Sequence, residues 1–147
     1  MKIAVPFSQQ LELYRDNPST APKFGIYEIT MEKSRVDISL LSVEANPWCG
    51  NTSCDCFDND AVHCACDEKR KHDIRHITEH YALLEVLGGC SYLLADRFCE
   101  NTRRALTNGG IHLFKFPSVI RTTENAIKNF IIGASLANTV EHVYYAS

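Results

Sequence analysis

The sequence lacks a long hydrophobic run, a secretion signal and an excess of either charge. Its apolar stretches fall well short of the roughly 20 residues that a membrane-spanning helix needs. The opening run Met1–Pro6 is too short for a signal peptide, and polar Ser8 follows it closely, so we expect a cytoplasmic protein. The formal net charge of −3 offers no electrostatic basis for binding nucleic acid or an anionic membrane.

Common catalytic motifs are also missing. The sequence contains no Gly-x-Ser-x-Gly, no P-loop and no dinucleotide-binding glycine pattern. No set of carboxylates on the predicted strands suits a two-metal nuclease. We therefore expect no enzymatic activity. A thiol enzyme that uses Cys99 or another cysteine as nucleophile is the alternative, but no base stands at a characteristic spacing from Cys99.

Cysteine, in contrast, is abundant, with seven residues in a chain of 147. In a reducing compartment, clustered thiols are more often metal ligands or redox groups than structural disulfides. Five of the seven fall in a polar segment, residues 46–72, that has no hydrophobic period: Cys49, Cys54, Cys56, Cys64 and Cys66. The last four form two Cys-x-Cys pairs. Four thiolates suit an iron–sulfur cluster or tetrahedral zinc, and we expect Cys49 to contact the same group.

The spacing of these pairs does not identify the metal. It matches neither the Cys-x-x-Cys of zinc ribbons nor a ferredoxin pattern, and soft thiolates also suit copper(I). A homodimer in which each chain supplies one Cys-x-Cys pair would satisfy the same four-thiolate count. The alternative without metal is a loop with free or disulfide-linked cysteines.

Histidines extend this set of candidate ligands. His72, His76 and His80 recur at a spacing of four, which places them on one face of the helix predicted from Asp73 onward. Near a helix N-terminus the dipole favours neutral imidazole, the form that binds metal. His63 lies within the cysteine-rich segment and is a further candidate. The alternative is a solvated helix face that carries histidine without ligating anything.

Cys99 is the remaining candidate cofactor contact. It follows the predicted strand Ser91–Ala95, and ligands of open α/β sheets bind at the carboxyl ends of strands, where Arg97 and Asn101 also lie. The alternative is a half-buried thiol in a tight turn. Cys90 precedes the same strand, and we interpret it as structural.

The order of predicted elements indicates an α/β fold with a mixed sheet flanked by helices. A short apolar run predicts a strand at Lys2–Pro6, and alternating apolar residues predict strands at Phe24–Thr30 and Val36–Glu44, the last with one buried face. Helix–strand–helix–strand–helix follows from Asp73, with glycine pairs ending the first two helices. Residues 139–147 fit a strand or a helix end equally well.

Several stretches resemble the dinitrogenase iron–molybdenum cofactor biosynthesis family. The similarity covers most of the chain outside the cysteine-rich segment and the tail, and it is carried by Met1–Pro6, Thr20–Ile29, Asn101–Leu106, Gly110–Phe114 and Thr123–Phe130. The resemblance implies one domain, residues 1–147, with a ribonuclease-H-like three-layer α/β fold and a five-stranded mixed sheet. Residues 46–72 would then be a cysteine-rich, metal-binding insertion.

The same resemblance implies a function and partners. Members carry or hold iron–sulfur or molybdenum-containing clusters and their precursors, which implies donor and acceptor proteins for the cluster. Here Asn17-Pro18-Ser19 stands where that family often has His-Phe-Gly, and we infer that thiolates replace or supplement the missing histidine contact. The competing function is a zinc-stabilised interaction or regulatory module that transfers no cluster.

Overall fold

The structure is a computed structural model that describes residues 1–47 and 80–146, with side chains described through residue 135. The predicted order of elements is confirmed within these ranges. The elements are β1 (Lys2–Phe7), β2 (Lys23–Glu32), β3 (Arg35–Ala45), α1 (Leu84–Leu87), β4 (Tyr92–Ala95), α2 (Glu100–Asn108), β5 (His112–Lys115) and α3 (Thr123–Ala146). The tail, which the sequence left open between strand and helix, belongs to α3.

The strands form a five-stranded mixed sheet in the order β3-β2-β1-β4-β5. β1, β2 and β3 are a meander of antiparallel neighbours, whereas β4 lies parallel to β1 and β5 parallel to β4. The carboxyl ends of β1 and β4 therefore lie side by side. Open α/β sheets bind ligands outside the carboxyl ends of their strands, so this edge is a candidate binding edge.

Both faces of the central strands are buried, because neighbouring residues point into different cores. Ala4 and Leu93 pack with Leu83 and Leu87, next to α1 and α2. The second core contains the adjacent residues of these strands together with the buried side of α3; its main members are Ile3, Val5, Ile29, Leu94, Phe116, Ala126, Ile127 and Phe130. Helices thus cover the sheet from both sides, as the apolar runs of β1 and β4 lead one to expect.

The prediction of a buried face on β3 is wrong. Val36, Ile38 and Leu40 are 42, 44 and 50% exposed, although their alternation is that of a half-buried strand. β3 is an edge strand, and it lies beyond the part of the sheet that the described residues of α3 cover. Alternation reveals which side chains share a face but not whether another element covers that face.

The helix ends follow ordinary capping chemistry. Thr122 Oγ1 accepts a hydrogen bond from Asn125 N at 3.2 Å and so caps the start of α3. After α2, Gly110 adopts φ +80°, a conformation that glycine takes without a Cβ penalty. None of the helices in the described ranges combines the length and hydropathy that crossing a membrane requires.

The cross-strand pair Ile29 and Ile38 allows a direct test of this arrangement, since the two residues are opposite each other in the β2–β3 register. Ile29 is 1% exposed, so Ile29→Ala should lower the free energy of unfolding by about 2–5 kcal/mol. Ile38→Ala, on the exposed edge, should cost less than about 1 kcal/mol. Urea unfolding of the two variants measures both values, and equal losses would contradict an exposed β3.

Candidate functional site

Buried polar side chains lie at the carboxyl edge of β1 and β4. Asp96, the first residue after β4, is 3% exposed and lies 3.3 Å from Arg15 Nη2 of the loop that follows β1. Ser118 Oγ donates to the other carboxylate oxygen at 2.8 Å, and Arg15 also donates to the carbonyl of Ser118. These contacts hold the loops after β1, β4 and β5 together, because removing Arg15 would leave the buried Asp96 carboxylate uncompensated.

His80 and Cys99 meet at this edge. His80 Nε2 lies 3.4 Å from Cys99 Sγ, although the residues are 19 positions apart in sequence. His80 is fully buried, on the same helical stripe as buried Leu83 and Leu87, and Cys99 is half-buried. Of the ten residues that the sequence nominated as ligands, these two lie within the described ranges, and the structure brings them into contact.

Cys99 is also the N-cap of α2. Its backbone is extended, and its Sγ accepts a hydrogen bond from Thr102 N at 3.4 Å. A sulfur atom replaces the side-chain oxygen that usually fills this role. The positive end of a helix dipole favours negative charge on a group in this position, as it does for thiolates in general.

A network of hydrogen bonds centred on Thr102 lies next to the Cys99 sulfur. Thr102 Oγ1 lies 3.1 Å from Cys99 Sγ, 2.5 Å from Ser19 Oγ and 2.9 Å from Asn17 Oδ1. Asn17, Ser19 and Thr102 are all buried. Sequence reasoning missed these three residues; the Cys99-x-x-Thr102 spacing, which is that of an N-cap and its N3 residue, was the available signal for one of them.

The same network connects to the end of β3. Asn46, 2% exposed, donates through Nδ2 to the carbonyls of Ser19 and Ala21 at 2.9 and 2.8 Å. Asn46 is the first residue of the cysteine-rich segment, and the described chain resumes at His80. Asn46 and His80 therefore both contact residues of one cluster, Asn46 through the backbone of Ser19 and His80 through the sulfur of Cys99.

The other nominated ligands lie outside the described residues: Cys49, Cys54, Cys56, His63, Cys64, Cys66, His72 and His76. Within the described ranges, no group of three or more His, Cys, Asp and Glu side chains is placed to hold a metal ion. Arg97, expected beside Cys99, is exposed, whereas Asn101 is buried.

The separation of the His80–Cys99 pair suits ligands of one metal ion. With Zn–S of ~2.3 Å and Zn–N of ~2.0–2.1 Å, two donors at a tetrahedral centre are about 3.5 Å apart, close to the observed 3.4 Å. The pair supplies one soft thiolate and one imidazole, a combination found in zinc, copper and iron–sulfur sites. A four-coordinate centre would need two further donors beside this pair.

Cys90 differs from Cys99 in its surroundings. It is 7% exposed and packs in the core beside Leu87 and Leu93. Burial raises the pKa of the Cys90 thiol, and the nearby Lys2 ammonium offsets part of that effect. Its burial agrees with the structural role expected from the sequence.

Comparison with known proteins does not assign the chain to a family. No protein-family model matches the sequence, and no curated protein matches it.

The two described cysteines should differ in reactivity. Because burial keeps Cys90 protonated and inaccessible, we expect iodoacetamide to modify it at least about tenfold more slowly than Cys99 in the native, metal-free protein. Mass spectrometry of peptides from a time course at pH 8 measures each site separately. After denaturation in urea the two rates should converge. Native rates that are already equal would contradict the burial of Cys90.

Proposed function

We propose that the protein binds and carries a metallocluster, iron–sulfur in type and with or without molybdenum, rather than catalysing a reaction. The observation that carries the proposal is the His80–Cys99 contact at the carboxyl edge of β1 and β4. The cluster is the cargo. In this proposal Cys99 and His80 contribute ligands from the folded scaffold, and the cysteine-rich segment contributes the others: Cys49, Cys54, Cys56, His63, Cys64, Cys66, His72 and His76.

Three features of the described residues support a cargo of this kind. Asn46, the first residue of the cysteine-rich segment, is hydrogen-bonded to Ser19, and His80, which follows the segment in sequence, contacts Cys99. Clusters held by thiolates carry negative charge, which the N-terminus of α2 favours. The donors are soft, as iron–sulfur centres require.

Membership of the dinitrogenase iron–molybdenum cofactor biosynthesis family, with a ribonuclease-H-like fold, is part of the same proposal. The five-stranded mixed sheet with helices on both faces supports it. So do the family-like residues, which fall mainly in β1, β2, α2, β5 and α3. The proposal places the protein in the cytoplasm, where thiols stay reduced, and implies one protein that delivers the cluster and another that receives it.

Metal analysis of the full chain tests this function. Protein purified without oxygen and without a metal-binding tag should contain more than one iron atom per chain, with acid-labile sulfide and visible absorption. Because Cys99 is a ligand in this proposal, Cys99→Ala should lower the iron content or shift the spectrum. Cys90→Ala removes a cysteine from the core instead, and it should leave both unchanged when circular dichroism shows that the variant is folded.

Other results would favour the alternative function or contradict metal binding. Stoichiometric zinc without colour would indicate the alternative, a zinc-stabilised interaction module. A chain that takes up neither zinc nor iron and sulfide after reconstitution would contradict metal carriage altogether. Equal iron content in the Cys99→Ala and Cys90→Ala variants would remove the carboxyl edge from the site and leave the cysteine-rich segment as the binding region.

A further inference from the structure

β3 has a long outer edge that no described strand pairs with. The strand runs for 11 residues, Arg35–Ala45, which is about twice the usual strand length, and it ends the sheet on the side away from β5. Natural sheets protect such edges with short strands, with Lys or Pro, or with bulges. β3 contains neither Lys nor Pro, and one bulge, at Leu41, interrupts its pairing with β2. Most of its length is therefore open to another strand.

The register of the sheet determines which backbone groups of β3 point outward. Ile29 of β2 exchanges two hydrogen bonds with Met1: its N–H donates to the Met1 carbonyl at 2.8 Å, and its carbonyl accepts from the Met1 amine at 3.0 Å. Because Ile29 directs both groups toward β1, Ile38, which lies opposite it, directs its own groups away from β2. At the end of β3, Asn46 donates its N–H to the residue before β2, so the preceding Ala45 also points outward.

The same alternation separates the side chains of β3 by chemistry. The residues with outward-pointing backbone groups are all apolar, and their side chains share one face of the sheet: Val36, Ile38, Leu40, Val43 and Ala45. The charged side chains of the strand lie on the opposite face: Arg35, Asp37 and Glu44. A strand that pairs with this edge must therefore match three charges on one face and an uncharged stripe on the other.

A second copy of β3, running antiparallel, meets both requirements. When the bulge is counted as one position, a twofold axis at Ser39 places Arg35 opposite Glu44 of the second copy and Val36 opposite Val43. The outward backbone groups of the two strands then face each other, as antiparallel pairing requires. The twofold axis repeats every pair, so the dimer contains two Arg35–Glu44 pairs and closes without leaving a further copy of the interface.

Neighbouring registers are less favourable. Pairing that keeps the outward groups face to face can shift only in steps of two positions. A shift in one direction places Asp37 opposite Glu44 of the second copy, and like charges in directly opposite positions are destabilising. A shift in the other direction shortens the paired part of the strands and moves Glu44 past the strand to Lys33 in the turn. Charge complementarity and length therefore select the same register.

We propose that two copies of the protein associate edge to edge through β3 in this register, joining their five-stranded sheets into one continuous sheet. Unpaired backbone groups provide the hydrogen bonds, as in other strand additions, and the Arg35–Glu44 pairs set the register. Within one chain Arg35 Nε lies 3.1 Å from Asp37 Oδ1, but these side chains are 79 and 59% exposed, and exposed ion pairs contribute little. Association requires neither metal nor cysteine, so it is independent of the proposed function.

Charge reversal tests the register. Sedimentation equilibrium of the full-length chain, with a thiol reductant and a chelator present, measures dimer formation without disulfides or shared metal. Because one strand pair is a small interface, we expect a Kd of about 1–100 μM. Arg35→Glu opposes two pairs of glutamates and should raise the Kd about tenfold, and Glu44→Arg should do the same with arginines. An equimolar mixture of the two variants should associate as the wild type does, because every opposing pair in the heterodimer is again of opposite charge.

Lys33→Glu is the matched control for these variants. It makes the same change of charge as Arg35→Glu in the exposed turn before β3, where the proposed register places uncharged Asn46 of the second copy. It should change the Kd by less than about threefold. A larger effect of Lys33→Glu than of Arg35→Glu, or a mixture of the two charge-reversed variants that stays monomeric, would overturn the register.

Hydrogen exchange followed by NMR distinguishes edge pairing from contact through the apolar face. The outward N–H groups should gain protection above the Kd and lose it in Arg35→Glu, whereas the inward N–H groups of Asp37 and Ser39 should be protected in both. Association without protection of the outward groups would overturn the pairing. So would a wild type that stays monomeric up to about 0.5 mM, protection of the outward groups in the monomer, which would mean that the edge is already covered, or growth into assemblies larger than a dimer.

Discussion

The parallel pairing of β1 with β4 is the constraint on which the rest of the molecule depends. It places Ile3 opposite Tyr92 and Ala4 opposite Leu93, so that the two strands end at the same edge. The loop after β1 brings Asn17 and Ser19 to this edge, and the turn after β4 brings Cys99 and starts α2. A different strand order would separate Asn17 and Ser19 from Thr102, and only the local contacts between Cys99 and Thr102 would remain. The contacts between Asp96, Arg15 and Ser118 keep the three edge loops in place.

Much of the scaffold could be predicted from the sequence, because burial on both faces leaves a strong pattern. The apolar runs at β1 and β4, the glycine pairs after α1 and α2, and the cap at Thr122 all specify local structure through short-range chemistry. β3 shows where such reasoning stops. Its apolar and polar residues alternate regularly, as they do in a half-buried strand. Whether another element covers the apolar face depends on the tertiary structure, so an exposed edge strand can have the same pattern.

Part of the candidate site could likewise be predicted from the sequence, and part could not. Cys99 could be nominated because it follows a strand, and His80 because it continues a ladder of histidines. Their contact depends on the packing of α1 against α2 and could not be derived from spacing. Asn17, Ser19 and Thr102 carry no conspicuous motif, since hydroxyl and amide side chains are common in loops. They matter because they are buried, and a buried hydrogen-bonding group that lacks a partner is costly.

The complete burial of His80 has a consequence for the lifetime of the chain in the cell. If His80 ligates the cargo as proposed, its burial means that this ligand is in place only while the domain is folded, so bound cargo would stabilise the native state by mass action. At a cargo concentration one hundred times the Kd, the gain is about 2.7 kcal/mol, which lowers the unfolded fraction roughly a hundredfold. Proteases that act on unfolded chains would therefore remove empty copies before loaded ones, and the abundance of the protein would follow the supply of its cargo.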